Sequence, residues 1–472
     1  MSLFTFEETK TYMTDINPKI FKKYDIRGIA MGEKAVLNQD IAFAIGQGIA
    51  TYLHYHHEIN LVVVGRDNRH TSYDLQSALM EGIQRGGANV MDIGLVSTPL
   101  VYWHAVDKGN VGGVMVTGSH LTPEYNGFKM SVGGKTIFDN EIQIIRKLIE
   151  NGNLITSQGA YAANTSAYAQ YLYDIRDRIP VTGKSKIVFD PGNGTAGVFA
   201  PRLLEYWGQD AIGINIEPDG DYPNHLPNPQ EEANMRQLSE KVLEVGADIG
   251  FAYDGDADRV GVVDEKGQMI SADRVMALLA RDMLQRNPGA AVIADVLSSQ
   301  TLFDTIISAG GEVYMAASGH SLVKEAMKEH EALLGGEMSG HMFFAEDYFG
   351  FDDAFFATGR ILQLLQSSFK PLSELNDELP FYYSTPEYRP HCPDEDKANI
   401  IAAVAEMMQD KGDIVDVDGV RVQFEKGWGI LRASNTEPVL SLRFEGETEA
   451  DALQYRDLFA KALKQFPQVE KF

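Results

Sequence analysis

At 472 residues the chain exceeds what one hydrophobic core supports and suggests three to four domains of roughly 100–150 residues each. Its 44% hydrophobic and 23% charged residues exclude a disordered chain, and a single cysteine, Cys392, excludes an intrachain disulfide framework. A formal net charge of −26 excludes nucleic acid as the main partner, and any anion site must be built from local cations and backbone N–H groups.

The opening stretch, MSLFTFEETKTYMTD, carries acids and lacks the basic-then-apolar order of a secretory signal. No apolar run approaches the ~20 residues that span a bilayer, so no membrane partner is expected and the cytoplasm is the expected compartment.

A threefold pattern then follows. LVVVGRD from Leu61 leads into an amphipathic helix expected to be capped by Thr71, then NVMDIGL from Asn89 and GGVMVTGSH from Gly112. KIVFDPGNG from Lys186 leads into a helix through Leu204, then AIGINIE from Ala211 and DIGFAYDGD from Asp248. AVIADVLSS from Ala291 precedes the helix TLFDTIISAGG, then EVYMAAS from Glu312 and ALLGGEMSGH from Ala332. Strand runs alternating with helical periods predict three related α/β domains with mixed, mostly parallel sheets. Ligands of such sheets bind beyond the carboxyl ends of the strands, so the loops TGSH, DGDADR and GEMSGH are expected to share one cleft. From about Phe381 the pattern changes to the helix DEDKANIIAAVAEMMQ, a hairpin around Asp418-Gly419, the strand VLSLRFEG and a final helix, a smaller α+β module. The expected domains are 1–162, 163–270, 271–380 and 381–472.

In the first loop Ser119 directly follows a buried-type strand. A serine hydroxyl attacks poorly without a base or cation, and a phosphorylated one needs a metal, cations and N–H donors around its dianion. Tyr24, Arg27, His120 and Lys129 are the candidates for that surround, while a plain turn-capping serine is the alternative. In the second loop Asp254, Asp256 and Asp258 alternate, so extended backbone would aim three carboxylates to one side, where they repel unless a hard divalent cation sits among them. A calcium-binding EF-hand is excluded because its turn glycine would fall on Arg259 and the flanks read as strands. An open magnesium site with Arg259 offsetting phosphoryl charge fits better than a solvated acidic turn.

In the third loop Glu337, Ser339 and His341 lie between glycines, a carboxylate and hydroxyl able to hold vicinal sugar hydroxyls. His341 and the upstream His320 are proton-transfer candidates or satisfied turn histidines. In the tail, LRASNTEP supplies the planar fork of Arg432 and short donors from Ser434, Asn435 and Thr436, a phosphate loop or an Asx turn.

With these four loops in order, the chain resembles the α-D-phosphohexomutase family over nearly its whole length, in particular the phosphomannomutase/phosphoglucomutase branch. The resemblance implies a heart-shaped four-domain enzyme, either monomeric or a weak homodimer. It implies phosphoserine at Ser119, which also faces the metal, and Mg²⁺ on Asp254, Asp256 and Asp258 with Arg259 beside them. Glu337, Ser339 and His341 match the sugar loop, and Arg432, Ser434, Asn435 and Thr436 the phosphate loop. Tyr24, Arg27, His120 and Lys129 match the surround of phosphoserine and sugar. The implied reaction interconverts hexose 1-phosphate and hexose 6-phosphate, of mannose or glucose, through a 1,6-bisphosphate. Phosphoglucosamine mutase and a phosphoserine-dependent sugar-phosphate phosphatase are the alternatives. Met338 stands where the phosphoglucosamine branch more typically has Gln. Two departures bear on substrate contacts: SHLTPEYNG replaces the more usual SHNP, and Leu297 replaces a frequent lysine. His341 and Lys129 both remain candidates for moving the proton.

Overall fold

The computed structural model describes residues 16–434 and 438–471 and divides into two compact units that meet between Tyr168 and Ala169. The first unit is built on one mixed sheet. Its centre is parallel: Gly112–Val116, Leu61–Arg66, Asn89–Leu95 and Tyr161–Ala163 lie side by side. Tyr125–Val132 and Ile26–Ile29 extend it as antiparallel strands on one flank. Val62, Val63 and Val64 are all fully buried, so both faces of the central strand are covered, which accounts for its unbroken apolar run. On one side the helices Gln39–His57 and Ser72–Arg85 cross at close range. A Cβ on Gly82 would stand 2.0 Å from the Phe43 carbonyl oxygen, and one on Gly46 would stand 2.1 Å from that of Leu79.

One local expectation fails. Thr71 sits at the N-cap position in helical conformation and makes no capping bond. Its hydroxyl instead accepts a hydrogen bond from Asn126 Nδ2 at 2.9 Å, so a side chain of the strand Tyr125–Val132 takes the group that would have served the helix.

The second unit holds the remaining two repeats and the terminal module. The second repeat's sheet runs Met269–Ile270, Val260–Asp264, Ile249–Tyr253, Lys186–Asp190, Asp210–Gly213; the third's runs Glu312–Ala316, Ala291–Asp295, Leu334–Gly336, Met342–Phe344. The terminal module is antiparallel throughout, five strands with the helices Asp394–Met408 and Glu449–Leu463 against one face. The architecture is four-domain α/β, with parallel strands at each repeat's centre and antiparallel strands at one edge.

The antiparallel edge decides where the polar loops lie. In each repeat the third strand does not cross over through a helix. It reverses tightly into its neighbour: Gly112–Val116 into Tyr125–Val132, Ile249–Tyr253 into Val260–Asp264, and Leu334–Gly336 into Met342–Phe344. Each reversal contains a left-handed residue, Ser119 (φ 50°), Ala257 (φ 56°) and Gly340 (φ 89°). Two of the three are not glycine and carry the strain of that conformation, of the order of 1–3 kcal/mol each.

Candidate active site

In the first unit Ser119 is 1% exposed. Its N–H donates to Thr117 Oγ1 at 2.8 Å, and its Oγ stands 3.2 Å from His120 Nδ1. Arg27 donates to the Gly118 carbonyl at 3.3 Å and pairs with Asp25 at 2.6 Å. It lies on Ile26–Ile29 opposite Gly127, and a Cβ at Gly127 would stand 2.2 Å from the Ile26 carbonyl oxygen. Lys129 is buried on the partner strand, in register with Met115. Tyr24, half-buried in the turn before Ile26–Ile29, has the Lys23 ammonium 5.5 Å over its ring. The structure therefore gathers Arg27, His120 and Gly118 at Ser119.

In the second unit Asp254, Asp256 and Asp258 are fully buried, and each offers an oxygen within 4.8 Å of the others. Extended backbone is not what brings them together. The loop is a turn closed by Asp254 N–H to the Arg259 carbonyl at 3.3 Å, with Ala257 left-handed at its apex. Asp254 Oδ1 accepts from the backbone N–H groups of Asp258 (3.1 Å) and Arg259 (3.2 Å), which locks the turn. Thr195 holds it from outside, donating N–H and hydroxyl to the Gly255 carbonyl at 3.0 and 3.1 Å. Arg259 Nε lies 4.0 Å from both Asp254 and Asp258, one cation against three carboxylates. A dry, all-oxygen donor set with excess negative charge fits a hard divalent ion.

The acidic and sugar loops meet. Arg259 and His341 form a β-bridge, and Val260 N–H donates to the Gly340 carbonyl at 3.2 Å. His341 Nδ1 faces Glu337 Oε2 at 2.9 Å and Ser339 Oγ at 2.7 Å, while Nε2 stands 3.3 Å from Asp258 Oδ1. Burial and Arg259 push the imidazole toward neutrality, but Asp258 and Glu337 outweigh them and raise its pKa to about 9. Arg259 Nε stands 3.3 Å from the same Nε2. His320 stacks on the His341 ring at 5.5 Å between centroids, with its pKa lowered, chiefly by burial.

Two residues that sequence reasoning missed complete this network. Asp352, fully buried, pairs with Lys324 at 2.9 Å and lies 3.5 Å from His320; against the effect of burial, Lys324 and His320 hold its carboxyl well below the usual range. No local motif marks either residue, because they meet only in the fold.

Arg432, next to last in the strand Gly427–Ala433, clasps Asp418 Oδ2 through Nε and Nη2 at 2.9 and 2.8 Å. The same oxygen accepts from Ser318 N–H at 3.3 Å, so the hairpin turn links the tail's guanidinium to the segment that carries His320. Ser434 N–H donates to Val439, and its carbonyl accepts from Lys397. Asn435 and Thr436 lie outside the described residues. Leu297 packs with Val296, Trp428 and Ile430, and its carbonyl accepts from Arg443 at 2.8 Å. The residue that replaces the frequent lysine thus serves the contact between the third repeat and the terminal module.

The comparisons with known proteins agree with this layout. Phosphoglucomutase/phosphomannomutase alpha/beta/alpha domains I, II and III match residues 18–155, 166–267 and 271–383, and the C-terminal domain of that family matches residues 389–462. The chain belongs to the phosphoglucomutase/phosphomannomutase branch of the α-D-phosphohexomutases. It is 43% identical to a phosphomannomutase/phosphoglucomutase of Pseudomonas syringae pv. tomato, over 94% of this chain and 95% of that one. It is 39% identical to a phosphoglucomutase of Neisseria gonorrhoeae, over 97% and 99%. A crystal structure of a phosphoglucomutase/phosphomannomutase family protein from Burkholderia thailandensis superimposes with a TM-score of 0.91 at 38% identity, covering 97% of this chain and all of that one. Among the described residues of this phosphohexomutase no helix is long and apolar enough to cross a membrane.

Proposed function

We propose that this phosphohexomutase moves a phosphoryl group between the C1 and C6 oxygens of mannose or glucose phosphate through phosphoserine at Ser119. The observation that carries this reading is the direct junction of a dry carboxylate triad with the Glu337–His341 loop, in a chain of this family. Its relatives make the chain a hexose-phosphate mutase, an isomerase of the intramolecular phosphotransferase type, and favour neither a phosphatase nor a phosphoglucosamine mutase.

Asp254, Asp256 and Asp258 would hold Mg²⁺, which when bound offsets charge on the transferred phosphoryl group. Glu337 and Ser339 would hold sugar hydroxyls, and Arg432, released from Asp418, would take the phosphate that is not reacting. In the first half-reaction the Ser119 O–P bond breaks and a P–O bond forms to the free sugar hydroxyl. That hydroxyl's proton leaves to a base, and the serine oxygen regains one. The resulting 1,6-bisphosphate turns and returns its other phosphoryl group to Ser119. His341, placed between Glu337 and Asp258, and Lys129 are the two candidates for the proton step. Opening of the terminal module near residue 380 would give the intermediate room to turn.

Ser119→Ala should abolish conversion of glucose 1-phosphate to glucose 6-phosphate while still binding the sugar phosphate, as read by a coupled assay and calorimetry. Turnover near the wild-type rate in that variant would remove the phosphoserine from the mechanism. Release of inorganic phosphate without isomerised sugar would turn the wild-type enzyme into a phosphatase.

A further inference from the structure

Arg69 lies in GRDNR, the loop that follows the central strand Leu61–Arg66, and its side chain is wholly buried. Four of its hydrogen bonds run into the Ser119 loop. Nη2 donates to the carbonyls of Ser119 (2.8 Å) and Leu121 (2.5 Å), and Nη1 to those of Thr122 (2.6 Å) and Tyr125 (3.0 Å). Nε faces Asp67 Oδ2 at 3.3 Å. Asp67, also fully buried, accepts from the N–H groups of Gly118 (3.1 Å) and Arg69 (3.0 Å) and from the Ser72 hydroxyl. The chain's own repeat supports a positioning role. Asp295 stands at the corresponding place in the third repeat and accepts from Met338 N–H at 3.4 Å, inside the sugar loop.

We infer that Arg69, oriented by Asp67, is the positioning residue that makes the Ser119 loop competent to carry a phosphoryl group. The inference rests on the phosphoserine reading above. The physical reason is electrostatic. Carbonyl oxygens carry partial negative charge, so a loop that must hold a dianion has to turn them away from it. One guanidinium collects four of them. In a trans peptide the N–H points opposite to the preceding C=O, so the N–H groups of His120 and Thr122 face away from Arg69. The same arrangement holds Ser119 in its left-handed conformation and accommodates the longer SHLTPEY turn, whose carbonyls at Leu121, Thr122 and Tyr125 fill the fork. Gly118 belongs to the device, because a Cβ there would stand 2.4 Å from Arg69 Cζ.

The test uses the full-length enzyme with glucose 1-phosphate as substrate and glucose 1,6-bisphosphate as activator. Arg69→Lys keeps the charge but not the fork, and Gly118→Ala displaces the guanidinium without removing it. Both should melt within a few degrees of wild type, keep KM within about threefold, and lose about 100-fold in kcat, the scale of a misplaced reacting group. The rate at which the bisphosphate phosphorylates Ser119, read by intact mass, should fall in parallel. A fall in kcat of less than about tenfold in a folded variant, or an equal change carried in KM, would overturn the inference. If Arg69→Lys does not fold, Gly118→Ala decides by the same limits, and failure of both to fold makes the pair core structure and overturns it too. Ser119→Ala run alongside separates the two layers: if it still turns over, the phosphoserine reading fails. If it is inactive while Arg69→Lys is unimpaired, only the present inference fails.

Discussion

Asp295 shows how a buried carboxyl in this protein is tuned by its surroundings. Burial, then the nearby Glu337 charge, raise its pKa from 3.8 to about 6, although Ser298, Ser318 and Met338 donate to it. A carboxyl with a raised folded-state pKa favours the native state in its protonated form. Its contribution is therefore present below pH 3.8 and lost as pH rises to about 6, a difference of about 3 kcal/mol. Asp295→Asn should abolish that share of the slope, so its urea-unfolding free energy should fall less than wild type's between pH 4 and pH 6. Parallel profiles would mean that Asp295 is ionised throughout. At this scale the sequence was most legible where chemistry forces unusual residues into short spacing: Asp254, Asp256, Asp258 and the Glu337, Ser339, His341 set. Arg69, Lys324, Asp352 and the second role of Asp418 stayed hidden, because each works on residues far away in the chain. Asp67 and Asp295 did leave a signal, an aspartate closing the first strand of a repeat, also present as Asp190.

Among the elements, the three repeats and the order of strands within them could be read from apolar periodicity, and so could the terminal helices and the hairpin at Asp418-Gly419. The strand Gly427–Ala433 could not: Gly427 and Gly429 dilute its apolar pattern, and it is specified by burial of Trp428 and pairing on both sides. The parallel centre was legible and the antiparallel edges less so, since a tight reversal and a crossover begin with the same buried run. The helix pair of the first unit illustrates a specification by absence. Gly46 and Gly82 sit within apolar helical patterns and are required by close backbone approach. Gly82→Ala should destabilise the enzyme by about 1–3 kcal/mol despite alanine's better helix propensity, the cost of overpacking a tight contact. Chemical unfolding measures it, and a gain in stability would show that the two helices move apart at little cost.

Taken as a whole, the molecule is strongly acidic, with a net charge of −26, yet an arginine lies at or beside three of the candidate loops. Arg27 is at the Ser119 loop, Arg259 at the carboxylates and Arg432 near the end of a strand of the terminal module. Arg421, fully buried against Trp428 at 3.9 Å, donates to the carbonyls of Val296 and Ser298 and so fastens that module to the third repeat. An enzyme arranged in this way should keep its phosphoryl group on protein or sugar and not pass it to water. The direct measurement is to treat the purified enzyme with glucose 1,6-bisphosphate and Mg²⁺, locate the phosphoryl group by peptide mass spectrometry, and chase it with glucose 1-phosphate, with and without EDTA. The account predicts one phosphoryl group, on Ser119, that moves to the sugar only when the metal is present. Phosphate on another residue, or its loss to water without formation of the bisphosphate, would contradict the account.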